Sequence, residues 1–275
     1  MERATLVKSF PFGMPVAPLR QQGDGPRRVF VLGVYASAVH ARWVRADGST
    51  AITARAVASE PEIFWRGDGA DEIVSRIPVP AGAGKLVPAG ASLNGPSGHA
   101  LDKCFLEPLG IDRSQAWLCD LLPESRCNPK QAAALESEYR PVMAELGLPE
   151  YDFPAVPTVL ADESRVRQIE AELAEAQPQV LVTLGDQPLK WFTKAYGSES
   201  NLSAYGEDND SYGRLHDIEI AGRKLSLLPL VHPRQAGRLG SHSGKWFDLH
   251  DHWMRDVAPG VLERIPVWQA ESSIG

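Results

Sequence analysis

Residues 178–192, PQVLVTLGDQPLKWF, set an apolar run broken only by Thr183 directly before a glycine and a helix start with proline in its first turn. Such a run reads as a buried strand, and proline suits a first helical turn because its missing N–H has no partner there. Similar runs occur at VFVLG (29–33), AWLCD (116–120) and LLPLV (227–231). Helical spacing marks GPSGHALDKCFLEPLG (95–110), ADESRVRQIEAELAEA (161–176) and SGKWFDLHDHWMRDV (243–257). In the second of these, Asp162 is a natural N-cap and Val166, Ile169 and Leu173 share one face. Strands alternating with helices predict an α/β fold: a three-layer α/β/α sandwich around a central, mainly parallel four-stranded sheet.

The alternation is interrupted at 40–58, HARWVRADGSTAITARAVA, where two β-prone runs flank Asp47-Gly48 and predict a hairpin. Gly33 is expected to end the first strand in a tight turn. Residues 78–92, rich in Pro, Gly and Ala, read as a loop, and the polar stretch 198–213 reads as mobile. With no internal repeat, the expected organisation is a single domain over 1–275 with an insertion at about 41–92.

Composition narrows the class. Of 275 residues, 43% are hydrophobic and 23% charged, which suits a soluble globular protein with a sizeable core. No apolar run approaches the ~20 residues of a membrane-spanning helix. Pro11, Gly13 and Pro15 break any signal-peptide core, so a cytoplasmic protein with no membrane partner is expected. Cys104, Cys119 and Cys127 are an odd count without close pairing and suit neither a disulfide framework nor a metal site; Cys104 and Cys119 fall in apolar surroundings. His250 and His252, near Asp248 and Asp251, point apart at i and i+2 on a helix, so no joint metal site is expected there. No cofactor is expected. The net charge of −7 argues mildly against a generic nucleic-acid coat but leaves room for a local basic groove.

In open parallel sheets, ligands bind outside the carboxyl ends of the strands. Four segments bring polar or special residues there: Gly33-Val34-Tyr35, Asp120, Gly185-Asp186 and His232-Pro233-Arg234. In this order the chain resembles the uracil-DNA glycosylase superfamily. FVLGVYASA is similar to its first motif. LNGPSGHALDKCFLEPLGIDRSQAWLCDLLPESRCNP is similar to its Gly-Pro-Ser/Ala-Gly helix, strand and Asn-bearing loop. PQVLVTLGDQPLKWF is similar to its later strand, Leu-Gly turn and helix, and LLPLVHPRQAG to its His-Pro-Ser motif. The resemblance covers roughly residues 28–40 and 93–255 and implies a DNA partner, base flipping, a monomer, and stabilisation of the departing base.

Several positions depart from the family pattern. Where members keep a catalytic Asp or Glu stand Val34 and Tyr35, neither able to activate water; Tyr35 is either a pocket wall or a stacking or gating residue. Leu93 stands where near relatives place a ring that stacks on uracil, which is either ordinary packing or a pocket opened for a bulkier base. Asn94 beside it is a hydrogen-bonding or turn residue. Asp120 replaces the base-reading Asn. It either caps backbone amides at a strand end or reads a base, and we favour the second. An ionised carboxylate only accepts hydrogen bonds, which suits the exocyclic amine of cytosine. His232, in His-Pro-Arg, is the expected donor to the leaving base. Arg234, Arg238 and Lys245 are expected to contact phosphates, with Leu239 or Gln235 replacing the family's wedge residue, which aligns with Ala236. The family's iron–sulfur members need four cysteines, and this chain has three.

The expectation is therefore a monofunctional DNA glycosylase with catalytic Asp120 and His232 and a pocket drawn from Gly33, Val34, Tyr35, Leu93 and Asn94. Because plain cytosine is ubiquitous, a 5-substituted cytosine such as (glucosyl-)hydroxymethylcytosine in phage DNA is the expected substrate, its removal leaving abasic sites as a defence. Two alternatives stand beside it: a repair glycosylase for uracil or another deaminated base, and a non-catalytic module binding DNA or a nucleotide.

Overall fold

Unbroken apolar runs that need burial on both faces become the centre of a sheet. The computed structural model describes residues 8–21, 25–239 and 243–265; the first residues of the N-terminal segment weighed above lie outside these. In chain order come β1 (Val29–Tyr35), β2 (Ala38–Val44), β3 (Thr50–Ser59), α1 (Ala70–Ser75), β4 (Lys85–Pro88) and α2 (Pro96–Leu101). Then follow β5 (Ala116–Leu122), α3 (Pro129–Ala134), α4 (Met143–Leu146), α5 (Glu163–Ala176), β6 (Val180–Leu184) and α6 (Asp186–Trp191). The chain continues through β7 (His216–Ile220), β8 (Arg223–Leu230), α7 (Pro233–Ala236) and α8 (Gly244–His252). The contacts divide into two compact units.

One unit comprises residues 25–34, Ala100–Leu121 and the described residues from 161 onward. Its sheet has the order β5-β1-β6-β8-β7. β1 runs parallel to β6 (Val29↔Val180 to Leu32↔Thr183), and β6 parallel to β8 (Val180↔Ser226 to Leu184↔Leu230). The expected α/β fold with a mainly parallel sheet is what forms, with a fifth, antiparallel strand added at the edge. That strand, β7, pairs with β8 across Ala221-Gly222, both at positive φ (48° and 79°). Alanine at the first turn position hid a hairpin that Asn or Gly would have announced. Helix α5 begins where Asp162 accepts from the Arg165 N–H at 2.8 Å, and its Ile169 and Leu173 are buried.

Two local expectations fail. Gly33 does not end β1; the strand runs on to Tyr35, and Gly33 is not among the glycines at positive φ. The polar stretch 198–213 is not featureless. A short 3-10 turn at Leu202–Tyr205 is capped by Asn201, Asp186 holds the Leu202 N–H at 2.7 Å, and Tyr212 is buried. Side-chain caps, invisible to a hydropathy pattern, give that segment its shape.

The other unit comprises residues 8–21, Tyr35–His99 and Leu122–Leu160. The hairpin forms as expected, β2 pairing antiparallel with β3 on either side of Asp47-Gly48. Its sheet has a third strand, because β4, inside the segment read as a loop, pairs with the other side of β2. Trp43, Phe12 and Tyr139 lie at the centre of its core, with the Phe12 ring edge-on to Trp43 and Tyr139. Arg55, 3% exposed, lies over the Trp43 and Tyr139 rings at 5.4 and 4.9 Å, so aromatic faces take the place of a carboxylate.

The Gly-Pro-Ser-Gly motif has a packing cause here. A Cβ on Gly98 would meet the Phe64 and Trp65 carbonyl oxygens at 2.3 Å, and one on Gly95 (φ +80°) the Arg66 carbonyl carbon at 2.0 Å. Both contacts are with backbone, which cannot swing aside. Gly98→Ala is therefore expected to cost about 1–3 kcal/mol, read as a lower urea midpoint at unchanged slope. An unchanged midpoint would show that the 64–66 backbone yields.

Candidate functional site

The carboxyl ends of the parallel strands carry the candidate residues because each apolar run is followed by a polar or glycine residue. Asp120 is not at the end of β5 but within it, and all seven residues of the strand are buried. Its side chain is 4% exposed, and its carboxyl group has no hydrogen-bond partner among the described residues. Burial pushes its pKa up to about 7; Arg165 pulls the other way and Glu172 adds to the rise. A neutral carboxyl group is the stable form of such a residue below that pH. The capping role at a strand end is not what the strand shows.

Asp120 owes its placement to a network the sequence reading missed. The Arg165 guanidinium donates to the Asp120 carbonyl oxygen at 2.6 Å, the Leu121 carbonyl oxygen at 3.1 Å and the Cys119 sulfur at 3.1 Å. It also pairs with Glu172 at 3.2 Å, and Glu172 accepts from the Trp117 indole N–H at 3.0 Å. β5 is the outer strand of its sheet, so part of its backbone has no ladder partner, and Arg165 meets two of its carbonyls. The guanidinium is thus directed at backbone and at Glu172, and the Asp120 carboxyl has no ion pair among the described residues. A signal was present: Arg165 and Glu172 stand seven apart on the face that carries Ile169 and Leu173, where charges are buried only in pairs.

His232 caps α7. Its Nδ1 accepts the Arg234 backbone N–H at 3.2 Å. Burial, and then the charge of Arg234, lower its pKa to about 4, so the imidazole is neutral near pH 7. With Nδ1 accepting, the single proton sits on Nε2, and His232 is a donor through that atom. Gly185, at φ +83°, ends β6 against it: a Cβ there would stand 3.2 Å from the His232 Cβ, and the Gly185 N–H donates to the Leu230 carbonyl at 2.7 Å. Between these strands, β1 brings buried Gly33 and half-buried Val34, neither with a group that titrates.

The remaining candidates divide. Arg234 and Arg238 are exposed, the latter at φ +52° with its guanidinium 3.5 Å over the Phe247 ring. Lys245 is exposed but paired with Glu207. Leu239 is half-buried. The Gln235 amide is spent on the Ser243 backbone in both directions, which removes it as a wedge. In the other unit, Tyr35 and Leu93 are among the few exposed large apolar side chains, at 38% and 40%. Asn94 is 2% exposed; its amide donates to the His40 and Ala89 carbonyls and accepts the His40 N–H. Both amide protons are used, so Asn94 braces the 89–94 loop against β2 and has none left for a ligand. His250, weighed above for metal, is buried and bonded to Tyr212 and the Cys104 carbonyl; Cys104 itself is half-buried, whereas Cys119 is buried as expected.

Arg165→Met strips β5 of its side-chain support and leaves Glu172 buried and unpaired. The expected loss is about 3–5 kcal/mol in chemical denaturation, partly recovered in Arg165→Met/Glu172→Gln. Equal loss in both variants would show that the pair is not the source.

The chemistry near the carboxyl ends of these strands is a buried carboxyl group that has no hydrogen-bond partner among the described residues, and a neutral imidazole donor; Gly33 and Val34 on β1 bring no acid. A search of curated proteins found no match. The model of the family described as the uracil DNA glycosylase superfamily matches residues 79–250, which include Asp120, Gly185, His232 and most of α8. More than half of the chain is covered, and the chain belongs to the uracil-DNA glycosylase superfamily.

Proposed function

We propose that the protein is a monofunctional DNA glycosylase that flips a modified pyrimidine out of DNA, reads it with Asp120 and releases it with help from His232. The observation that carries this reading is buried Asp120, whose carboxyl group has no hydrogen-bond partner among the described residues and whose pKa is raised to about 7. A strongly perturbed carboxyl group in the sheet, on a residue that aligns with the family's base-reading position, supports a role in base chemistry. In its neutral form it offers one O–H and one carbonyl oxygen. Cytosine offers the complement, with N3 accepting and the exocyclic amine donating. A proton moved from Asp120 toward N3 makes the base a better leaving group, while His232 Nε2–H stabilises O2. Cleavage is then largely dissociative: the bonding pair leaves with the protonated base, and water adds to the sugar cation and loses its proton to solvent, without an acid in the first motif.

The substrate we favour is a 5-substituted cytosine such as the hydroxymethylated or glucosylated base of phage DNA, in a cytoplasmic defence role. Tyr35 and Leu93 remain proposed base contacts because of their exposure and their places in the motifs. Arg234, Arg238 and Lys245 are proposed phosphate contacts, and Leu239 the wedge. A second reading, repair of uracil or another deaminated base, is favoured by one feature of the same residue. A neutral carboxyl group with its proton on the other oxygen donates to O4 and accepts from N3–H, as an amide does.

A panel of oligonucleotides carrying uracil, cytosine and 5-substituted cytosines, read as alkali-labile breaks, separates these. Breaks only at substituted cytosine are expected. Breaks at uracil support the repair reading, and tight binding without breaks supports a non-catalytic module. Asp120→Ala is expected to lower single-turnover excision by at least ~100-fold with the fold intact; unchanged turnover would remove Asp120 from the chemistry.

The pH dependence has a definite sign. Asp120 acts in its protonated form, so kcat/KM is expected to fall roughly tenfold per unit above about pH 7, and Asp120→Asn to flatten that limb. A rate that rises through pH 7 would make the carboxylate the active form. For stability, the folded state keeps a proton that the unfolded state releases near the ordinary 3.8, so stability falls as pH rises from about 4 to about 7.

A further inference from the structure

His232 is useful as a donor only if its Nε2–H is held in one place, and a buried chain of hydrogen bonds ends on the residue before it. The Val231 N–H donates to the Tyr212 hydroxyl at 3.0 Å, and that hydroxyl meets His250 Nδ1 at 2.8 Å. On its other side, His250 Nε2 lies 2.9 Å from the Cys104 carbonyl oxygen. A carbonyl only accepts, so His250 Nε2 carries the proton and Nδ1 accepts. Tyr212 must then donate to His250, and its oxygen is left to accept from Val231. The direction of every bond in the chain is thereby fixed, and each of these groups is satisfied.

The chain is held rigidly at both residues. Tyr212 and Val231 are each 2% exposed, and His250 is fully buried between the Phe105 and Trp253 rings at 4.6 and 5.0 Å. The Trp253 indole donates to the Gly213 carbonyl at 3.1 Å, and a Cβ on Gly213 (φ +68°) would meet that indole at 2.2 Å. Tyr212 is therefore locked onto the last helix by its own neighbour in sequence. The network joins the helix after the Gly-Pro-Ser-Gly motif, the polar 198–213 segment, α8 and the exit of β8.

The geometry points to Tyr212 and His250 as positioning residues for His232, a role that rests on the glycosylase reading proposed above. They fix the backbone at Val231 so that the imidazole leaves β8 in a single orientation, with Gly185 against its Cβ and Nδ1 tied to Arg234. Displacement of a reacting group by about 1 Å from a remote change is enough to cost on the order of 100-fold in rate. The Tyr212 hydroxyl touches no group proposed to meet the base. Its effect must pass through Val231 and His232.

Tyr212→Phe removes one oxygen and leaves the ring. On whichever base the wild type excises, the single-turnover rate is expected to fall roughly 10- to 100-fold, with affinity for DNA unchanged within about twofold. In a His232→Ala background the same substitution is expected to have no further effect. Equal fold losses in both backgrounds, or no loss in the first, would overturn the role. A second readout needs no activity: imidazole 15N spectra of the full chain. The His232 ring is expected to show one neutral tautomer in the wild type and a mixture in Tyr212→Phe, and an identical spectrum would overturn positioning. If no base on the panel is excised, the glycosylase reading fails, while the His232 spectrum still decides whether Tyr212 orders that ring.

Discussion

A carboxyl group on a buried residue, with no hydrogen-bond partner among the described residues, is the constraint around which the candidate site is organised. Removing a carboxylate from water is so costly that the group takes up a proton instead. Asp120 sits in that position because β5 is apolar on both faces and carries it inside the strand. Arg165, the cation that acts on it, is turned to the strand's backbone and to Glu172. Had Arg165 reached the Asp120 carboxylate, the residue would be an ordinary ion pair with nothing to offer a base.

His232 follows the same logic from the other side. Burial holds it neutral, and the Arg234 N–H occupies one ring nitrogen, so the other must donate. Below about pH 7 the two residues are thus a proton-bearing acid and a proton-bearing base, each able to donate without carrying charge. Two intervening strands, β1 and β6, separate them in the sheet, with Gly33 and Val34 near the carboxyl end of one and Gly185 after the other, its Cα side against His232. In the function proposed here, the chemistry at this end of the sheet is assigned to those two groups.

Much of this was legible in the sequence. β5, β6 and β8 were readable because strands buried on both faces are rich in apolar runs with few interruptions, and α5 because Asp162 caps it and its apolar stripe has the helical period. The motif order located Asp120, Gly185 and His232. What stayed hidden depends on hydrogen bonds between residues distant in sequence. Tyr212 looked like part of a polar loop, yet its partners are 19 and 38 residues away. Asn94 looked like a ligand contact, but its amide is consumed by backbone groups that no local pattern reveals. β7 is short, and an alanine at its turn conceals the hairpin. Arg165 and Glu172 left a trace as charges on an apolar face, which reads as an ion pair only once β5 is known to lie beside it.

The central claim is that Asp120 carries a proton in the folded protein near neutral pH. It is tested most directly by following the Asp120 side-chain 13C carboxyl resonance against pH, assigned by comparison with Asp120→Asn. An inflection near 7 is the result expected from its burial. An inflection near the ordinary value of about 4 would mean that the carboxylate is solvated or paired, and would contradict the account.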